Sequence, residues 1–253
     1  MENALLIGLS RQVALARELD VVANNVANVD TNGFKRRGTI FQEFLAPTAR
    51  HEHFKPGADR RLSYVWDRGT ALQYSQGTME RTGNPLDVAI QGDALFAVRA
   101  GAGGGERYTR NGSLGVNARG ELVNSDGHVM VTDQGSLTLS PTETDLKIAS
   151  DGSITTSNGP RGRLKLVAIP NPQLLRNAGS NLFSTAVPLQ AAQPRDARLM
   201  VGEIEKSNVK PVLEISRLME LSRAYQNVAS LMQRTDEIRR SAIQRLADTN
   251  PNA

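Results

Sequence analysis

The sequence predicts an α+β chain: long helices at its two ends and a mainly antiparallel β core between them. Three observations carry that reading. First, both ends hold apolar stripes whose steps alternate between three and four residues, the spacing of a coiled-coil seam. Second, the middle of the chain is a succession of short strand signals about ten residues apart, each bounded by Gly, Asn or Asp turns. Third, no strand–helix–strand alternation is found, which excludes a parallel α/β sheet.

The first helix is predicted over 3–29. Its stripe is Leu5, Leu9, Gln12, Ala16, Leu19, Ala23 and Val26. Asn24, Asn25 and Asn28 crowd its end, although Asn competes for backbone groups and disfavours helix interiors. One reading is fraying. The other is that Asn24 and Asn28, one turn apart, make side-chain hydrogen bonds that fix register in a packed helix layer. Gly33 suits the left-handed residue that closes a helix, with Phe34 packing back behind it. The last helix is introduced by Ser207-Asn208, with Pro211 in its first turn, where a missing N–H costs nothing. It runs to about Leu246. Its stripe is Leu221, Ala224, Val228, Leu231, Thr235, Ile238 and Ala242. An apolar seam on a lone helix has nothing to bury against. Each stripe therefore implies a partner: the other end of the chain, or another copy.

Between the helices, Lys35-Arg36-Arg37 reads as a solvated basic face. A long irregular loop is expected near 46–75. His51 and His53 share a strand face there, but no third metal ligand lies nearby. Strands are expected at Asp87–Ile90 and Ala94–Val98, joined by a hairpin-like turn at Gln91-Gly92-Asp93. Further strands are expected around Tyr108-Thr109, Leu114–Val116, Leu122-Val123, Val129–Val131, Leu146–Ile148, Ser153–Thr155 and Gly162–Ile169. The glycine run Gly101–Gly105 lacks the Gly-Lys-Ser/Thr of a phosphate loop and reads as a hairpin tip.

Composition narrows the function. Among 253 residues, 39% are hydrophobic and 4% aromatic, with 22 glycines and 11 prolines, which suits small turn-rich units. The absence of cysteine excludes disulfides, zinc–thiolate sites and thiol nucleophiles. A net charge of +4, spread along the chain without stacking aromatics, argues against nucleic acid. The apolar run Ala4–Leu9 is too short for a signal-peptide core or a membrane span. By composition alone the chain reads as cytosolic. No catalytic constellation is found. Asn111-Gly112-Ser113-Leu114-Gly115 misses the nucleophile elbow by its first glycine and by its setting. Asp126 and Asp133 read as turn carboxylates, His128 as an exposed turn residue, and Asp30–Gly33 as an incomplete calcium loop. No enzyme, no cofactor and no metal are expected.

Several stretches, in order along the chain, resemble the rod and hook axial proteins of the bacterial flagellum. They are Ala23–Lys35, Thr82–Asp93, Tyr108–Gly112, Asn181–Phe183, Gly202–Val209 and Arg223–Gln226. Length favours a rod protein over a hook protein. Gly162–Val167 and Ser207–Val212 look most like the proximal-rod members, while the N-terminal signature is closer to the distal-rod ones. The resemblance implies a structural subunit whose terminal helices form the inner layer of a tube, with a β domain outside. It implies terminal helical segments at 1–34 and 205–253, linking, partly β segments at 35–84 and 185–204, and an outer β domain at 85–184. The implied assembly residues are Leu5, Leu9, Ala16, Leu19, Ala23, Asn24, Asn25, Val26, Asn28, Gly33 and Phe34 at one end. At the other they are Ser207, Asn208, Val209, Leu221, Ala224, Tyr225, Val228, Leu231 and Ile238. Implied partners are proximal and distal rod subunits, copies of the chain itself and the flagellar export apparatus, without nucleic acid or membrane insertion. Export through the flagellar type III route without a cleaved signal would place the chain in the basal body, spanning the periplasm. The terminal helices would be poorly ordered before assembly and would fold as they bind. The rival classes are a wall-acting hydrolase and a soluble coiled-coil adaptor with a β recognition domain.

Overall fold

The computed structural model describes residues 2–46, 62–101, 105–169, 171–193 and 197–248. Of the expected loop near 46–75, residues 47–61, with His51 and His53, lie outside them, as does most of the Gly101–Gly105 tip; residues 62–72 form a strand rather than loop. The chain divides into two compact units. One comprises Met1–Val26, Arg37–Ala71 and Pro211–Ala253; the other comprises Ala27–Arg36 and Leu72–Lys210.

The first unit holds helix α1 (Glu2–Ala27), helix α2 (Pro211–Asp248) and a two-stranded sheet of β1 (Arg37–Ala46) with β2 (Leu62–Leu72). Both helices form where the 3.6-residue periodicity places them. The β1–β2 pair lies in the linking segment expected to be partly β, but its strands carry charged residues without clean alternation, so periodicity does not place them.

The second unit is built from short strands, and every pairing for which a register is given is antiparallel. In chain order they are β3 (Met79–Arg81), β4 (Val88–Gly92), β5 (Ala94–Arg99), β6 (Glu106–Thr109), β7 (Leu114–Val116), β8 (Leu122–Asn124), β9 (Val129–Thr132) and β10 (Gly135–Ser136). Then come β11 (Lys147–Ile148), β12 (Ser153–Thr156), β13 (Gly159–Arg163), β14 (Leu166–Ala168), β15 (Arg176–Asn177), β16 (Phe183–Ser184), β17 (Ala197–Val201) and β18 (Glu203–Glu205). The main sheet runs β15-β16-β6-β5-β9-β8-β7, with β14 added on β5 and β10 on β9.

Strand β5 is apolar from Ala94 to Val98 because both its faces are covered there, and only its last residue, Arg99, is exposed. Ala94, Phe96 and Val98 enter one core with Val88, Ile90, Leu122, Met130 and Leu199. Leu95 and Ala97 enter a second core with Tyr108, Val167, Ile169 and Phe183. Residues i and i+2 share a face of a strand, so one strand can floor two cores.

Two expectations are corrected here. Gln91-Gly92-Asp93 does not close a hairpin: β4 pairs with β17, Val88 opposite Val201, while β5 pairs elsewhere. Two adjacent apolar runs can each find other partners, and Gly92 at φ 114° turns the chain from one sheet to the next. The long strand Gly162–Ile169 is two strands, since β13 pairs with β12 and β14 with β5.

Candidate assembly surface

Helix α1 buries Ala14, Val21, Val22 and Asn25, with Glu18 largely covered. Positions 14, 18, 21 and 25 step by four, three and four, so the buried line has seam spacing. It lies nearly opposite the predicted stripe. Leu9 is 49% exposed and Ala23 is exposed, while Gln12, Ala16, Leu19 and Val26 are half-buried. The side chain of Leu5 lies outside the described set. The stripe is thus not the face that packs within the chain. A search for apolar residues overlooked the true line because two of its members, Glu18 and Asn25, are polar.

Helix α2 buries Glu214 and Leu221 and half-buries Leu218, Tyr225, Val228 and Met232 along the same kind of line. Predicted residues Leu221, Ala224, Tyr225 and Val228 lie on or beside it. Leu231 and Ile238 do not: they are 64% and 65% exposed. Among the described residues, two side-chain contacts and one close approach join the two helices. Asn25 Nδ2 donates to Glu214 Oε2 at 3.1 Å, and Arg217 donates to Glu18 Oε1 at 2.6 Å. A Cβ on Gly8 would stand 3.3 Å from Met232 Cγ. Numbers fall along one helix as they rise along the other, so these contacts are antiparallel.

The asparagine cluster resolves into separate roles. Asn25 is fully buried. Besides Glu214, its amide donates to the Arg37 carbonyl at 2.8 Å and accepts from the Arg37 N–H at 3.0 Å. Asn28 instead accepts from the Thr31 hydroxyl at 3.1 Å in the turn that ends the helix, and Asn24 is exposed. Asn25 therefore bridges elements, joining α1 to α2 and to the start of β1.

Past the helix, Gly33 closes the turn as expected, at φ +69°, and Phe34 is buried. A Cβ on Gly33 would approach the Arg110 carbonyl carbon to 2.5 Å, and its N–H donates to the Glu205 carbonyl at 2.7 Å. Lys35 corrects the reading of a solvated basic face, being 1% exposed. Its ammonium meets Glu205 Oε1 at 2.5 Å and donates to the Ser75 carbonyl at 2.9 Å. Arg110 Nε lies 3.2 Å from Glu205 Oε2. The rest of that guanidinium donates to the carbonyls of Ala94 and Gly92 at 2.9 and 2.8 Å. Both cations also lie over the Tyr74 ring, 5.0 and 5.4 Å from its centre. Burial pulls the Lys35 ammonium below its ordinary value, with Glu205 opposing that pull. Burial likewise keeps the Tyr74 phenol well above its own. Such a cluster is stable because its charges neutralise one another and most of its polar atoms are hydrogen-bonded, while the buried Arg110 Nε and Glu205 Oε2 face each other as an ion pair outside hydrogen-bond geometry.

Asn208 finishes the same knot. Its side chain accepts from the Arg36 N–H at 2.6 Å and donates to the carbonyls of Gln73 and Ser75 at 2.8 and 2.9 Å. Ser207 accepts from the Val209 N–H at 3.2 Å, and Val209 is buried.

The chemistry of this surface is packing and hydrogen bonding. Asp126 accepts from Asn111, and Asp133 accepts from the Arg163 N–H, both structural turn roles. His128 is half-buried rather than exposed. Among the described residues, no group of three or more His, Asp or Glu could hold a metal ion, and no helix is long and apolar enough to cross a membrane.

Three family models match: "Flagella basal body rod protein" over 5–35, "Flagellar hook protein FlgE/F/G D1 domain" over 89–156, and "Flagellar basal body rod FlgEFG protein C-terminal" over 200–245. The FlgF basal-body rod protein of Caulobacter vibrioides is 38% identical, over 99% of this chain and the whole of that relative. The chain belongs to the flagellar basal-body rod family. FlgF of Mesorhizobium japonicum is 34% identical over 97% of this chain and 98% of its own. FlgG of Bacillus subtilis is 29% identical over 94% and 97%. The chain is thus most like FlgF, and the distal-rod alternative has no better support.

In this rod protein the matched segments coincide with the geometry just described. The N-terminal match contains most of α1 and the Gly33-Phe34-Lys35 turn, and the C-terminal match contains Glu205, Asn208 and most of α2. The match between them contains Arg110 and β5. The protein is a structural subunit of the flagellar basal-body rod, and not an enzyme. Of the partner residues, Arg110 and Glu205 carried no functional signal in the sequence beyond membership of the matched stretches, and Tyr74 lies outside those stretches altogether.

Proposed function

We propose that this rod protein is a proximal-rod subunit that polymerises through its terminal helices into the tubular drive shaft. In this reading α1 and α2 pair as a coiled-coil-like inner layer formed by 1–34 and 205–253. Residues 35–84 and 185–204 link that layer to an outer β domain at 85–184. Its neighbours are other proximal and distal rod subunits and copies of itself. The chain reaches its periplasm-spanning site through the flagellar type III apparatus, without a cleaved signal. The observation that carries the reading is that Leu9, Leu231 and Ile238 face outward on helices whose opposite faces are already packed. Apolar side chains at seam spacing, left exposed, mark a surface made for association.

Leu231→Asp tests it. Inside an assembled layer the new carboxylate would sit among apolar neighbours, at a cost of several kcal/mol by the usual order of magnitude. The variant is expected to be exported but absent from purified basal bodies. Normal rods containing Leu231→Asp would overturn the proposal.

A further inference from the structure

We propose that the polar contacts between α1 and α2, one buried and one at the edge of the seam, select one register for the helix pair, a role the apolar seam cannot perform. Seam spacing repeats every seven residues, so sliding α2 by one heptad brings apolar residues back onto apolar residues. Leu218 would give way to Tyr225, Leu221 to Val228 and Tyr225 to Met232. Packing discriminates weakly between such states.

On α2 the polar residues do not repeat: seven residues after Glu214 and Arg217 stand Leu221 and Ala224. Asn25 faces Glu214, and the same slide would set Leu221 against its amide. Glu18 holds Arg217, and the slide would offer Ala224 instead. A buried amide or carboxylate deprived of its partner is penalised, so only one register satisfies both helices. Asn25 adds a third element. By gripping both the N–H and the C=O of Arg37, it ties the start of β1 to the same register. One side chain therefore coordinates α1, α2 and the departing strand. The outward faces with Leu9 and Leu231 are then presented in one arrangement. This register holds whichever partners the rod supplies, so its failure and that of the proximal-rod reading are separately visible.

The chain has no cysteine of its own, which makes disulfide trapping clean. Gly8→Cys is combined in turn with Met232→Cys, Tyr225→Cys or Arg239→Cys, and oxidised both in the purified full chain and in isolated basal bodies. With Asn25 and Glu214 intact, the 8–232 link forms and the heptad-shifted 8–225 and 8–239 links do not. With Asn25→Leu and Glu214→Leu together, the seam survives and linkage redistributes, so that 8–232 loses yield to the shifted pairs. Glu214→Gln, which retains an acceptor for the Asn25 amide, restores the single link. Three results overturn the proposal. One is an unchanged 8–232 pattern in the double Leu variant. Another is the absence of the 8–232 link in the parent chain. The third is loss of all three links in the double variant, since the proposal requires the pair to remain together with its register released.

Discussion

The β unit and the helical unit treat apolar side chains in opposite ways. In the β unit, Val88, Ala89, Ile90 and Ala94–Val98 are wholly buried, and even its charged Lys35, Arg110 and Glu205 are sealed inside with their partners. In the helical unit, Leu9, Val13, Leu231 and Ile238 stand half or more exposed, while the polar Asn25 and Glu214 are buried. The β unit satisfies itself. The helices satisfy only one face each, and the polar residues on that face specify geometry more than they add stability. A chain with a finished region and an unfinished one is suited to being a component: rigid where it must hold shape, incomplete where it must join.

That contrast can be broken from the β side first. Glu205→Ala would leave Lys35 and Arg110 buried without a counter-charge, and breaking such a site costs about 3–5 kcal/mol. Urea unfolding of the purified chain, followed by circular dichroism, should show the loss. Gly33→Ala comes next. Forcing a side chain into the left-handed conformation costs roughly 1–3 kcal/mol, and here the new methyl also crowds Arg110. The same unfolding experiment reads it. At the small end is Leu231→Asp, which alters an exposed position and should change the free chain's stability by no more than about 0.5 kcal/mol. Its effect belongs to assembly. A Leu231→Asp chain as unstable as Glu205→Ala would erase the distinction between the two regions.

How much the sequence disclosed follows the same division. Periodicity located both helices almost to their ends, and turn residues located most strands of the main sheet, because those signals are local. Gly33 was legible for the same reason. What escaped depends on distant partners. Lys35 looked like a solvated charge since its carboxylate lies 170 residues away. The pairing of β4 with β17 joins residues separated by more than a hundred positions, so a nearby hairpin looked simpler. On α1 the packed face was missed because Asn25 and Glu18 become seam residues only when Glu214 and Arg217 stand opposite. The stripe that was legible on α1 lies away from that packed line, with Leu9 and Ala23 exposed and Gln12, Ala16, Leu19 and Val26 half-buried.

The central claim is that the outward helical faces are reserved for other subunits. It is tested most directly by a single Leu231→Cys in this cysteine-free chain, labelled with a maleimide in the purified protein and in isolated basal bodies. The account predicts rapid labelling of the free chain and protection in the assembled rod. Equal labelling in both would contradict it.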